Sequence, residues 1–311
     1  MVRFLARSFL LAALLAPGLA QAKANPFLGR WNFNFETPNG TRASWLSVAE
    51  KNGALEVWFQ PTGGNVYQVR QFKLKGTHLK LMLSKGRRKH PALRWELTAN
   101  GGVLSGVQKR GKVITPLTGA PAPELNRPAP ASWTDPEPLF DGKTLNGWEP
   151  IGNPANSHWA VQDGLLVNEA HGANLMSVRK FNDFRLHFEV NCPDGGNSGF
   201  YLRGRYEIQI EYEPLTANPP NRRIGSIYGR IAPKVELPRT PGKWETFDVT
   251  LVGRTLTVVR NGVTTIDAQE IEGITGGALD GNEEDPGPFY IQGDHTGGLK
   301  FRNITISVPK S

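Results

Sequence analysis

The sequence predicts an all-β chain, a sandwich of two packed antiparallel sheets of the jelly-roll kind preceded by a smaller antiparallel β-domain. Glycine (35) and proline (24) are abundant. Asx-Gly pairs recur at Asn39-Gly40, Asn52-Gly53, Asn100-Gly101, Asp141-Gly142, Asp163-Gly164, Asn261-Gly262 and Asp280-Gly281. The segments between them alternate apolar and polar residues with period two, and long helical periodicity is missing. Asx-Gly pairs suit turns that need positive φ, and short strands between such turns pack best as a sandwich or barrel in which each strand buries one face.

The first 22 residues read as a cleavable secretory leader: Arg3 and Arg7 precede the apolar run 9–15, and Ala20-Gln21-Ala22 offers a small-x-small cleavage site. This predicts a periplasmic or secreted protein, and no later stretch approaches the ~20 apolar residues of a membrane span. Residues 25–118 then form the smaller β-domain. Trp31, Phe33 and Phe35 alternate with Asn32 and Asn34, and Leu79, Leu81 and Leu83 repeat the pattern. Seven prolines between 115 and 138 predict an extended, semi-rigid linker, centred on 119–135.

The larger domain, 136–311, alternates more cleanly. Arg185, His187 and Glu189 oppose Phe184, Leu186, Phe188 and Val190. Glu207, Gln209 and Glu211 oppose Tyr206, Ile208, Ile210 and Tyr212. Residues 256–263 form a hairpin around Asn261-Gly262 with a type I′ turn, and 299–308 makes the closing strand.

Several function classes fall away on composition. Cys192 is the single cysteine, so neither an intramolecular disulfide nor a multi-cysteine zinc site can form. The formal charge of +8 is scattered, with one basic cluster at Lys85-Gly86-Arg87-Arg88-Lys89-His90, which excludes a nucleic-acid-binding stripe. No nucleophile elbow, phosphate-cradling loop or dinucleotide fingerprint occurs.

Two constellations could carry chemistry. On the strand Glu207-Ile208-Gln209-Ile210-Glu211, period-two geometry projects Glu207, Gln209 and Glu211 from one face, either a solvated surface or a cleft. Asn197-Ser198-Gly199-Phe200-Tyr201-Leu202-Arg203 precedes it, and Arg203 could share that face. An arginine with two carboxylates suits a hydroxyl-rich ligand, because forked donors and acceptors bracket a diol. The second constellation is Gln292-Gly293-Asp294-His295, where a histidine beside a carboxylate could act as general base or metal ligand. His158, His171 and His187 lack such a setting.

The residues themselves resemble a known family. Leu139-Phe140-Asp141-Gly142-Lys143-Thr144-Leu145-Asn146-Gly147-Trp148, Trp159-Ala160-Val161-Gln162-Asp163-Gly164-Leu165-Leu166, the 197–203 and 206–210 strands, Gly225-Ser226-Ile227-Tyr228-Gly229, Gly287-Pro288 through His295, and Phe301-Arg302-Asn303-Ile304 are similar to the 3-keto-disaccharide hydrolase family over about 136–309. The resemblance implies a concanavalin-A-like jelly roll in an exported bacterial enzyme whose partner is an oligosaccharide or glycoside bearing a 3-keto group. Such an enzyme needs a base for the C2 proton, an acid for the leaving oxygen and stabilisation of the enolate. On that resemblance His295 is the base or a metal ligand and Glu207 the other acid/base or a ligand. Arg203 and Gln209 hold the sugar and its oxyanion, Asn197, Tyr228 and Gln292 bind it, and Glu211 lies beside them. A divalent cation would suit the enolate, although no motif demands one.

Two alternatives stay open: a non-catalytic, lectin-like protein using the same groove, and a retaining glucanase. The 207–211 strand resembles the Glu-x-Asp-x-Glu strand of family-16 glucanases. That chemistry needs carboxyl groups about 5–5.5 Å apart, whereas i and i+4 positions on a strand lie roughly 13 Å apart.

Overall fold

The computed structural model describes residues 25–37, 40–86, 91–215 and 218–310. The leader at 1–22 and most of the basic cluster at 85–90 lie outside the described residues. Those described form strands and short 3-10 turns, and none of their helices is long and apolar enough to cross a membrane.

The first nine strands make one antiparallel sheet in which sequence neighbours pair, and the last strand, Val113–Pro121, returns to pair with the first, Gly29–Thr37. Its two edges, Tyr67–Gln68 and Phe72–Lys75, are consecutive in the chain, so the sheet curls around an apolar interior. Alternation along Gly29–Thr37 buries Trp31, Phe33 and Phe35 in that interior. Phe33 and Phe59 meet Trp95 edge-on, at 4.7 and 4.9 Å between ring centroids.

The remaining strands build the sandwich. An eight-stranded sheet is centred on Phe184–Asn191, which pairs with Trp244–Val252 and with Leu299–Ser307. Facing it is a five-stranded sheet in the order Trp148–Pro150, Leu175–Phe181, Gly287–Ile291, Asn197–Leu202, Tyr206–Glu211. The core lies between them. Phe188 of the larger sheet stacks at 4.4 Å on Phe200 of the smaller, and Ile208, Ile210, Phe289 and Ile291 point into the same layer. The fold is the predicted all-β sandwich preceded by a small antiparallel β-domain.

Most turn signals act as turns. Asn52-Gly53, Asp163-Gly164 and Asn261-Gly262 hold both residues at positive φ, as a type I′ hairpin turn requires. Asp280-Gly281 does not; it docks instead, since Gly281 lies so close to the first sheet that an added Cβ would come within 2.9 Å of the Asn32 Cβ. The prolines at 116 and 121 belong to the strand Val113–Pro121, so the extended stretch starts at 122, and it is pinned. Arg254 donates to the Pro123 carbonyl, and Arg127 pairs with Asp183 at 3.0 Å.

The two cores meet through a contact built from buried polar groups that find partners. Asn32, on the face of its strand opposite Phe33, donates to the Gly281 carbonyl and to Glu283 Oε1, both at 2.8 Å. Glu283 also accepts from the Tyr206 hydroxyl at 2.5 Å and lies 3.7 Å from Arg254. Trp45 crosses from the first sheet into the sandwich core, with the Arg230 guanidinium 4.2 Å from its ring. An added Cβ on Gly273 would come within 2.4 Å of its Nε1. Replacing Trp45 with Ala should cost about 3 kcal/mol, the low end for losing a buried tryptophan, because its indole nitrogen is buried without a partner. Urea denaturation measures the loss.

Candidate active site

Strand register makes the site. On the five-stranded sheet the residues opposite the core face outward, and pairing sets Tyr290, Tyr201 and Glu207 in one row across three strands. The next row holds Gln292, Gly199 and Gln209: Gly199 is paired with Gln209, and its carbonyl accepts from the Gln292 amide at 2.9 Å. These rows floor a cavity of about 360 Å³ whose walls include Asn174, Asn197, Tyr228, Asp294 and His295.

Glu207 is the central group. It is 3% exposed, and the Tyr201 hydroxyl lies 2.8 Å from its Oε2 and 2.7 Å from the Gly276 carbonyl. Gln209 donates its amide to Glu207 Oε1 at 3.0 Å and to the Ser198 carbonyl at 3.2 Å, the orientation that satisfies both groups. The carboxyl fits only because residue 199 is glycine: a Cβ there would stand 2.4 Å from Glu207 Oε1. Burial raises the Glu207 pKa to about 8, against the opposing hydrogen bond from Tyr201 and the charge of His295. Glu207 is therefore mostly protonated at neutral pH, an acid with a proton to give. Tyr201 and Tyr290 stack at 3.8 Å, and burial holds both phenols well above their ordinary pKa, so both stay neutral. The Gln292 amide donates to Tyr201 at 3.1 Å and leaves its buried oxygen without a partner, an acceptor open to a ligand hydroxyl.

His295 follows the strand Gly287–Ile291. Asn174 holds the loop by accepting from the Gly293 and Asp294 amides at 2.8 and 3.2 Å. His295 Nδ1 lies 3.0 Å from Asp294 Oδ1, which leaves Nε2 as the reactive nitrogen. The Asp294 hydrogen bond raises the imidazole pKa above its ordinary value, against the effect of burial, with help from the charge of Asp294. Asp294 itself sits low: burial pushes it up, but the bond to His295 and its charge outweigh burial.

Of the residues singled out from the sequence, Glu207, Gln209, Asn197, Tyr228, Gln292 and His295 share this cavity. Arg203 does not. It occupies the turn after Asn197–Leu202 at φ 52°, which swings its guanidinium to the Gly253 carbonyl (3.1 Å) and the Tyr206 hydroxyl (3.2 Å), buried at the far end of the strand. Glu211 is also elsewhere. Its oxygens accept from the Glu213 and Ile224 amides and from Arg239, a closed structural network. Glu207 and Glu211 therefore do not flank one space, which removes the retaining-glucanase arrangement. His187 does have a carboxylate partner, Asp248 at 2.7 Å, but on the outer face of the eight-stranded sheet. Among the described residues no group of three or more His, Cys, Asp or Glu side chains is placed to hold a metal ion.

Arg42 carries no signal in the sequence, and Tyr201 and Tyr290 stand in it only as parts of motifs. The tyrosines sit in an alternating pattern, yet only cross-strand register places them beside Glu207. Nothing local marks Arg42, which reaches the cavity from the first sheet.

The model of the 3-keto-alpha-glucoside-1,2-lyase-like domain matches residues 135–307. A 3-keto-disaccharide hydrolase of Bacteroides thetaiotaomicron is 37% identical over 75 residues, covering 21% of this chain and 26% of that protein, so the match spans about a quarter of the relative's length. Among solved structures, a Parabacteroides distasonis protein described as a glycosyl hydrolase is 30% identical at a TM-score of 0.47, covering 59% of this chain and 93% of the other. A second from the same organism is 19% identical at a TM-score of 0.46, covering 55% and 92%. With more than half of its length matched, the chain belongs to the 3-keto-alpha-glucoside-1,2-lyase-like family.

Proposed function

We propose that the chain cleaves the glycosidic bond of 3-keto-glycosides by elimination followed by hydration. The observation that carries this reading is a buried carboxyl, Glu207, whose burial favours its protonated form, in one cavity with a carboxylate-oriented imidazole, His295. An acid and a base facing one cavity are what such an elimination needs.

The ketone at C3 acidifies the C2 proton, which His295 Nε2 removes. The resulting enolate re-forms the carbonyl as the C1–O bond breaks, leaving a C1=C2 double bond conjugated to the ketone. Glu207 protonates the departing oxygen. Water then adds across the double bond: the Glu207 carboxylate takes a proton from the water that attacks C1, and the imidazolium returns a proton to C2. Both side chains are restored, and the net change is hydrolysis. Asn197, Tyr228 and Gln292 bind the sugar hydroxyls, while Gln209, committed to Glu207 and Ser198, holds the acid in place rather than the substrate.

Incubation with 3-keto-trehalose and with trehalose tests the reading. Cleavage of the keto sugar alone is expected, cleavage of trehalose would point to a conventional glycosidase, and binding without turnover to a lectin. Glu207→Gln and His295→Ala should each lower kcat by roughly 10²–10⁴-fold while binding persists.

The pH profile gives a separate check. Because Glu207 must be protonated, kcat/KM should fall as pH rises through about 8. Tyr201→Phe removes a hydrogen bond that favours the carboxylate, so the pKa rises and the falling limb moves to higher pH. A limb that stays put or moves down counts against Glu207 as the acid.

A further inference from the structure

The family-matched segment, 135–307, does not enclose the cavity alone. Arg42 of the strand Gly40–Lys51 and the loop residues Thr62, Gly63 and Gly64, all from the first sheet, line it as well. This wall is held against the sandwich. The Gly277 amide donates to the Thr62 carbonyl at 3.0 Å, and Gly276 approaches Gly64 so closely that a Cβ on it would stand 2.1 Å from the Gly64 carbonyl oxygen. Gln60 ties the loop down by donating to the Pro61 and Gly64 carbonyls at 3.0 and 2.7 Å. Asn65 abuts Gly229, beside Tyr228.

Among the described residues lining the cavity, Arg42 is the lone Arg or Lys. Its guanidinium donates to the Thr41 carbonyl at 3.1 Å and, among the described residues, has no carboxylate partner. Its charge reaches Tyr290, at the end of the Glu207–Tyr201–Tyr290 row away from Glu207. Neighbouring strands lie about 4.8 Å apart, so the Tyr290 backbone is roughly 10 Å from that of Glu207. In a 3-keto-glycoside the C1 oxygen and the C3 oxygen flank C2 on opposite sides. A ring seated with its C1 oxygen at the Glu207 acid and its C3 oxygen toward the first-sheet wall presents that oxygen to Arg42.

Resting on the reading of the site given above, we propose that the first sheet completes the active site and that Arg42 is the cation that stabilises the enolate oxygen at C3. This is the part expected of Arg203, which lies elsewhere. As His295 takes the C2 proton, the electron pair of that C–H bond shifts into the C2–C3 bond, and charge accumulates on the C3 oxygen. A guanidinium with free donors stabilises that oxygen without giving up its proton.

The test is exchange of the C2 proton of 3-keto-trehalose in D2O, followed by NMR, together with turnover. Arg42→Ala should lower both exchange and kcat by roughly 10²–10³-fold. Arg42→Lys should recover part of the loss, and added guanidinium at low, non-denaturing concentration should partly rescue Arg42→Ala. A merely structural residue would not respond to guanidinium, and thermal melting checks that the variants fold. Wild-type exchange and turnover in Arg42→Ala, or a loss that guanidinium does not relieve, would overturn the assignment while leaving the reading of the site intact. A wild-type chain that neither exchanges nor cleaves the keto sugar would overturn both.

Discussion

A carboxyl group cut off from water is strongly biased toward its neutral form, and Glu207 is held in that condition by everything packed around it. Tyr201 and Gln209 give its oxygens partners, Gly199 leaves room for it, and the Tyr201–Tyr290 stack closes the floor on one side. The same burial that would make a carboxylate expensive makes a carboxylic acid available near neutral pH. His295 occupies the opposite regime: half exposed, on a loop rather than a strand, and oriented by a carboxylate that stays ionised. One cavity thus holds two titratable groups in different environments.

The sandwich supplies the rigidity this requires. Phe188, Phe200 and Phe247 stack across the two sheets, so the strand carrying Tyr201 is fixed from behind by aromatic packing. Alternation then dictates which side chains face the ligand, and register dictates which of them meet. The contact with the first sheet, built on Asn32, Trp45 and Glu283, brings a second wall to a cavity that the sandwich alone leaves open.

Much of this was legible in the chain. Period-two alternation put Glu207 and Gln209 on one face, the Asx-Gly pairs at 52, 163 and 261 marked hairpins, and the carboxylate next to His295 marked it as a candidate. Where the local pattern and the structure part, the cause is physical. Alternation extended to Arg203 runs one residue too far, into a turn whose positive φ breaks the period. Glu211 keeps the period, but loop amides that no local pattern reveals claim its oxygens. Tyr290 and Arg42 depend on which strands become neighbours, information carried by the whole fold rather than by any segment.

Gly199 sharpens a general point about reading such sites. A search for important positions by truncating side chains to alanine assumes that importance resides in atoms that can be taken away. Here a position with no side chain acts as a mould for the acid beside it, and the informative substitution is an addition. A single methyl group at 199 would collide with Glu207 Oε1 and drive the carboxyl off its seat without removing an atom from it. The shape of the cavity is thus encoded partly in a side chain that is not there.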